Sequence, residues 1–288
     1  MLYTLLQVVY SHHYRSGYLL HNLTQHAGTA VVTGASAGIG KVYAERLAAR
    51  GYDLILVARR SERLAQIAEA LSQKYSIKAQ ALVADLATAN GVASVAECFD
   101  SDPTITLLVN NAGFSTLKPL THTPNELISG MISLNVTALT LLSKAALNAF
   151  KIRNAGVLIN VGSAAGFSPY PDIPVYGATK AYVFQFTQSL QHELEGTDVK
   201  VQLVLPGAVI SEGWDVAGGG ELEPLPADIV MTTEDCVDAA LRGLDLGESI
   251  TAPSLYNATL LADYVALSDT MLQSSFATVP AQRYRVAS

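Results

Sequence analysis

The chain has 288 residues, half of them hydrophobic and 15% charged, with a formal net charge of -7. That composition belongs to a chain that buries a substantial core and argues against intrinsic disorder; the length suits one large α/β domain or two small ones. An acidic chain without a basic stripe also argues against phosphate-backbone binding, so no nucleic-acid partner is expected.

Residues 1–28 open with an apolar stretch, Met1–Tyr10, and hold four of the six histidines, His12, His13, His21 and His26. No basic region precedes the apolar stretch and no small-residue cleavage site follows it in place, so a signal peptide is not expected. No acid or cysteine joins the histidines, so no metal site is expected. The segment reads as an extension outside the core. No run of about 18 apolar residues occurs, and no membrane span is expected. Cys98 and Cys236 lie far apart and outside any C-x-x-C pair, which suits two reduced, packed thiols and a cytoplasmic setting.

From residue 29 onward, short apolar runs alternate with longer amphipathic stretches. Strands are expected at Thr29–Thr33, Asp53–Ala58, Ala79–Ala84, Thr106–Val109, Gly156–Val161, Val199–Val204 and Ser249–Ala252. Helices are expected at Ile39–Ala49, Ser61–Lys74, Ala89–Phe99, Pro124–Phe150, Val175–Glu195 and Thr233–Leu246. The strands are apolar nearly throughout, as strands covered on both faces are. Strict β-α-β alternation needs right-handed crossovers, and these build a doubly wound parallel sheet of the Rossmann type with helices on both faces. No linker, repeat or low-complexity tract divides residues 29–288, so they read as one domain. The irregular, Gly- and Pro-rich stretch at about 208–230 reads as a substrate lid.

The first strand runs into Gly34-Ala35-Ser36-Ala37-Gly38-Ile39-Gly40 and then a helix. Glycines there permit a tight turn and a close approach to a pyrophosphate, and the helix N-terminus offers free N–H groups to it. The second strand ends in Ala58-Arg59-Arg60. An acid at that point would hold a ribose 2′-OH, whereas an arginine, here Arg59, pairs with a 2′-phosphate. The cofactor expected is therefore NADP (NADPH). Asp85 follows the third strand, where an adenine amino group would arrive, and Asn110-Asn111-Ala112-Gly113 follows the fourth. Both lie at strand C-termini, where such sheets bind ligands.

Tyr176 and Lys180 are four apart on one expected helix and so share a face. A phenol titrates near 10 and is a poor base at neutral pH; a nearby ammonium favours its charged form. Ser163, just past the fifth strand, can hydrogen-bond a carbonyl or alcohol oxygen. Asn135 lies mid-helix, where it can support a water near Lys180. In order and approximate spacing, Thr33–Gly40 (TGASAGIG), Asn110–Gly113 (NNAG), Asn135, Ser163, Tyr176-Gly-Ala-Thr-Lys180 and Pro206-Gly207 resemble the short-chain dehydrogenase/reductase family. The resemblance covers about residues 29–252. It implies that Tyr176 is the general acid/base, that Lys180 lowers its pKa and holds the nicotinamide ribose, that Ser163 positions the substrate oxygen, and that Asn135 completes a water-linked proton relay.

The resemblance also implies that Pro206, Gly207, Val209 and Ser211 cap the nicotinamide, with Ser211 standing where the family usually has threonine. It implies that the helices at Pro124–Phe150 and Val175–Glu195 form a homodimer or homotetramer. Between Ala208 and Glu234 there are six acids and no Lys or Arg. Such a stretch would repel carrier-linked or CoA substrates. Phe114, Phe167, Tyr170 and Val175, with Trp214 closing over them, would line an apolar pocket. The expected substrate is a neutral, moderately apolar ketone, aldehyde or secondary alcohol. Two rival readings stand beside it: a reductase of 3-oxoacyl thioesters, and a catalytically idle NADP-binding scaffold, since a dinucleotide fold alone does not establish activity.

Overall fold

A computed structural model describes residues 27–210 and 226–285. Residues 1–26, Ser211, Trp214 and the rest of 211–225 lie outside the described residues, so the extension and most of the lid stretch are not placed.

Seven parallel strands form one sheet in the order β3-β2-β1-β4-β5-β6-β9. They are β1 (Thr29–Thr33), β2 (Asp53–Ala58), β3 (Ala79–Val83), β4 (Ile105–Asn110), β5 (Gly156–Val161), β6 (Val199–Val204) and β9 (Ile250–Thr251). The crossovers are α1 (Gly38–Ala49), α2 (Ser61–Tyr75), α3 (Ala89–Ser101), α4 (Asn125–Ile132) continuing into α5 (Leu139–Arg153), α6 (Pro174–Glu193) and α7 (Thr233–Leu246). Each expected strand and helix is present, with ends shifted by three residues at most. The strand order reverses between β1 and β4, and the crevice at their C-terminal ends is where a doubly wound sheet takes its ligand.

Period-two alternation feeds two separate core layers. Ala30, Val32, Leu54 and Leu56 meet Tyr43, Leu47, Leu64, Val237 and Leu241 of α1, α2 and α7. Val31, Ile55, Val57, Leu108 and Leu158 meet Val95, Phe99, Leu142 and Phe150 of α3 and α5. One expectation fails. Strand β3 is not covered on both faces: Gln80, Ala81 and Val83 are exposed, because among the described residues β3 lies at the edge of the sheet and pairs only with β2.

The helix expected at Pro124–Phe150 is interrupted. A π-turn at Ser133–Ala138 separates α4 from α5. The wider turn of a π segment shifts the helix's register, and Asn135 and Ala138 are the residues buried there. The helical run Asn125–Arg153 is long and apolar enough to cross a membrane by length and composition. Here its inward face, from Met131 through Ala146 to Phe150, packs into the domain.

Two features escape the sequence pattern. A short parallel ladder, β7 (Ala208–Val209) with β8 (Val230–Met231), ties the two ends of the irregular stretch together. A further helix, α8 (Thr259–Ser274), follows β9 and has no buried residue.

Candidate active site

The cofactor end is built from backbone. After β1 the chain turns at Gly34 (φ +68°) and enters α1 at Gly38 (φ +51°), both in the left-handed region that favours glycine. A Cβ on Gly34 would lie 2.7 Å from Asn111 Nδ2, and one on Gly40 would run into the Gly34 carbonyl. The N-cap of α1 is Ala37, whose side chain caps nothing, and the first turn carries no acid. The N–H groups of that turn therefore have no side-chain competitor for an anion. Ile39 packs against the core beneath.

Thr33, a motif residue not singled out from sequence, knits this turn to β4. Its hydroxyl donates to Val109 O at 3.1 Å and accepts from the N–H groups of Asn111 and Ala112 at 2.9 and 3.0 Å. Asn111 Nδ2 donates to Thr33 O at 2.9 Å. Asn111 thus braces the crevice rather than reaching into it, and Gly113 sits where a Cβ would be 3.0 Å from Asn135 Oδ1.

Of the two arginines after β2, Arg60 is the one turned to the glycine loop. Its Nε and Nη2 donate to Ser36 Oγ at 3.3 and 3.1 Å; Arg59 and Arg60 are both exposed. Arg60 thus stands beside Arg59 as a candidate for a 2′-phosphate. Asp85 is exposed, and its Oδ1 accepts from Ala87 N at 3.0 Å. Glycine cradle, unguarded helix N-terminus and adjacent guanidinium fit a dinucleotide phosphate.

The chemical end is built from side chains. Ser163 is the N-cap of a 3-10 turn (Ala164–Gly166), and its Oγ accepts from Ala165 N at 3.1 Å. It lies beside the Tyr176 phenol. Tyr176, in the first turn of α6, is half-buried. Burial raises its pKa above the ordinary phenol value, and the neighbouring Ser163 hydroxyl opposes that rise. Lys180 is buried, with Nζ 5.7 Å from the Tyr176 ring centroid and donating to Val161 O at 2.8 Å. Burial lowers its pKa to about 8. The lowering of the phenol's pKa that the Tyr–Lys pair suggests is not the net result in the protein alone, because desolvation dominates.

Asn135 stands behind this trio with both ends of its side-chain amide hydrogen-bonded. Oδ1 accepts from Phe114 N at 3.1 Å; Nδ2 donates to Phe114 O at 2.9 Å and to Thr179 Oγ1 at 3.1 Å. Thr179 in turn donates to Tyr176 O at 2.8 Å. Asn135 therefore ties the loop after β4 to the Tyr–Lys turn. Beneath lies a buried polar chain that sequence reasoning missed. Asn110 Nδ2 donates to Ser143 Oγ and Asn160 Oδ1, each at 3.0 Å, and Asn160 Nδ2 donates to Thr187 Oγ1 at 3.0 Å. An asparagine in the middle of an otherwise apolar β5 was the available signal.

Pro206 O accepts from Ala164 N at 2.8 Å, which joins the Pro-Gly loop to the Ser163 turn. A Cβ on Gly207 would lie 2.9 Å from Ser254 Oγ, and Val209 is buried in β7. Phe114 rests near Gly130, Tyr170 is exposed, and Phe167 packs its ring against Phe184 and Tyr264. Among the described residues no group of His, Cys, Asp or Glu is placed to hold a metal ion.

Fold and site together define a dinucleotide-binding α/β protein with a Ser–Tyr–Lys centre at the switch point of its sheet. A family model described as short chain dehydrogenase matches residues 28–217, and the chain belongs to that family. It is 39% identical over 236 residues to sulfoacetaldehyde reductase 2 of Chromohalobacter salexigens, covering 81% of this chain and 88% of that protein. It is 35% identical over 181 residues to a very-long-chain 3-oxoacyl-CoA reductase of Danio rerio, covering 62% of this chain and only 56% of that protein's length. Among solved structures, a short-chain dehydrogenase from Sphingobium yanoikuyae in complex with NADPH superposes with a TM-score of 0.85 at 38% identity, covering 90% of this chain and 100% of that one. A bulky-bulky ketone specific alcohol dehydrogenase from Comamonas testosteroni superposes with a TM-score of 0.81 at 34% identity, covering 90% and 99%.

Proposed function

We propose that this protein is an NADP(H)-dependent carbonyl reductase or alcohol dehydrogenase whose proton donor and acceptor is Tyr176. The observation that carries the reading is the Tyr176 phenol beside Ser163 with the buried Lys180 reaching to within 5.7 Å of its ring centroid. A centre complete in this way favours catalysis over an idle scaffold.

The residues that would hold the cofactor are Gly34, Ser36, Gly38 and Gly40, with Arg60 or Arg59 at a 2′-phosphate, Asp85 toward the adenine, and Asn111, Ala112 and Gly113 at the base of the crevice. Bound there, the nicotinamide supplies or accepts the hydride. Tyr176, held neutral by burial, gives its proton to the carbonyl oxygen in reduction and takes it back in oxidation. Ser163 Oγ aligns that oxygen, and Lys180 compensates charge that develops on the phenolate.

The substrate class we infer is a neutral, moderately apolar ketone, aldehyde or secondary alcohol. The acidic, cation-free stretch between Ala208 and Glu234 supports it, as does the likeness to the bulky-ketone enzyme. The 3-oxoacyl-CoA and sulfoacetaldehyde reductases among the relatives point to anionic substrates and make the choice testable. A panel of apolar ketones, an acetoacetyl thioester and an anionic aldehyde, run at low salt with NADPH and with NADH, reads both questions by nicotinamide absorbance. The expected result is the highest kcat/KM for an apolar ketone with NADPH. A higher value for the thioester or the anionic aldehyde would reject the substrate class. Tyr176→Phe should lower turnover by about 10²–10⁴-fold while NADPH still binds. A cytoplasmic homodimer or homotetramer completes the proposal, and light scattering reads the oligomer size.

A further inference from the structure

We propose that Tyr264, on the carboxy-terminal helix α8, is a positioning residue that sets Ser163 against the Tyr176–Lys180 pair. The proposal rests on the catalytic reading above and concerns a part of the chain outside the 28–217 span of the family match.

Three rings meet edge to face. The Tyr264 centroid lies 5.5 Å from Phe167 and 5.6 Å from Phe184, with planes at 73° and 79°, and Phe167 lies 5.5 Å from Phe184 at 67°. Such tilted arrangements satisfy the ring quadrupoles and define relative orientation, unlike contacts between aliphatic side chains. Each ring belongs to a different part of the molecule. Phe167 is the residue immediately after the turn that Ser163 caps. Phe184 lies four residues beyond Lys180 on α6, so it shares the lysine's face one turn on. Tyr264 alone comes from outside the catalytic segments.

The Ser163 turn and α6 are already pressed together, for a Cβ on Gly166 would lie 2.8 Å from the Lys180 carbonyl carbon and oxygen. The turn is held on its other side by Ala164 N donating to Pro206 O at 2.8 Å. The ring cluster adds a contact between the turn and α6 that orients the two as well as spacing them. Helix α8 lends itself to this role: Leu261 and Val265 lie on the buried Leu139, Val183, Leu203 and Leu205 and anchor the helix, while no residue of the helix is fully buried. Removing the Tyr264 ring therefore alters the seat of Phe167 without opening the main core.

The test compares Tyr264→Ala, Tyr264→Leu and Tyr264→Phe with the parent protein, measuring kcat and KM for the best ketone of the panel, the Kd for NADPH and the melting temperature. Misplacing Ser163 should reduce kcat by roughly 10- to 100-fold in the Ala and Leu variants, since a displacement on the order of 1 Å carries such a cost. KM, NADPH affinity and melting temperature should change little, and Tyr264→Phe should restore kcat because the ring is kept. A merely structural tyrosine would lower the melting temperature and leave kcat per folded molecule unchanged, which would overturn the proposal. Leu matching the parent, or Phe failing to rescue, would overturn it as well. A parent protein that turns over no carbonyl would overturn the catalytic reading and this proposal together, whereas an active parent matched by Tyr264→Ala would overturn this proposal alone.

Discussion

The two ends of the crevice are constructed differently. The cofactor end, from β1 to the loop after β4, is shaped by backbone: turns at Gly34 and Gly38, a Gly40 that admits no Cβ, and a helix N-terminus left uncapped. The chemical end is shaped by side chains from the Ser163 turn, the π-turn, α6 and α8, joined through Asn135, Thr179 and the ring trio. Backbone geometry is imposed by a few residues close together in sequence. Side-chain geometry depends on partners brought together from several elements, as Asn135 with Thr179 and Phe167 with Tyr264. Damage to the first should therefore register as lost binding, and damage to the second as lost turnover with binding intact.

The strongest way to sharpen that contrast, after Tyr176→Phe, is Lys180→Met. The buried lysine titrates at about 8 in the folded protein against an ordinary value near 10.4. The unfolded chain holds the proton more tightly, so the native state is penalised in full below pH 8, and the penalty fades as pH rises toward 10.4. From the shift it is about 3 kcal/mol at most. Lys180→Met should thus be more stable than the parent at pH 7, with the gap closing between pH 8 and pH 10, and should be nearly inactive. Thermal melts across that range check the sign; a gap that widens with pH would show that the lysine is not buried as a costly cation.

Next is Gly40→Ala. Its methyl group has no room beside the Gly34 carbonyl, and overpacking of this kind costs about 1–3 kcal/mol. NADPH binding, followed by nicotinamide fluorescence, should be lost or severely weakened. Unchanged affinity would mean that the turn is not the phosphate cradle.

Arg60→Leu should give a smaller effect. Charge-assisted hydrogen bonds contribute about 1.5–3 kcal/mol, so the preference for NADPH over NADH should fall by one to two orders of magnitude, with NADH affinity little changed. The same change at Arg59 distinguishes the two arginines: a larger loss there would return the 2′-phosphate to the residue that sequence order favours.

The smallest expected effect is that of Thr179→Val, which removes the hydroxyl between Asn135 and the Tyr176 carbonyl. It should lower kcat several-fold with cofactor affinity unchanged, and Thr179→Ser should recover it. A kcat equal to the parent's would show that Asn135 acts on the centre by another route.

The glycine turn and the seven strands of the main sheet were legible in the sequence because each is local, whereas the Ser–Tyr–Lys set stood out through the family resemblance. A run of apolar residues, a turn needing positive φ, or two side chains four apart on a helix declares itself within a few positions. What escaped depends on distant partners. The approach of Arg60 to Ser36 depends on the turn out of β2. The exposure of β3 depends on its place at the sheet edge. Asn135 is placed by a π-turn and by contacts with Phe114 and Thr179. Phe167 read as a pocket wall, yet its ring is engaged by Phe184 and by Tyr264. The sequence by itself therefore determined which groups the site possesses. Only the tertiary structure decided which of them face the crevice and which hold the others in place, because a side chain's direction is set by packing against residues that only the folded chain brings near.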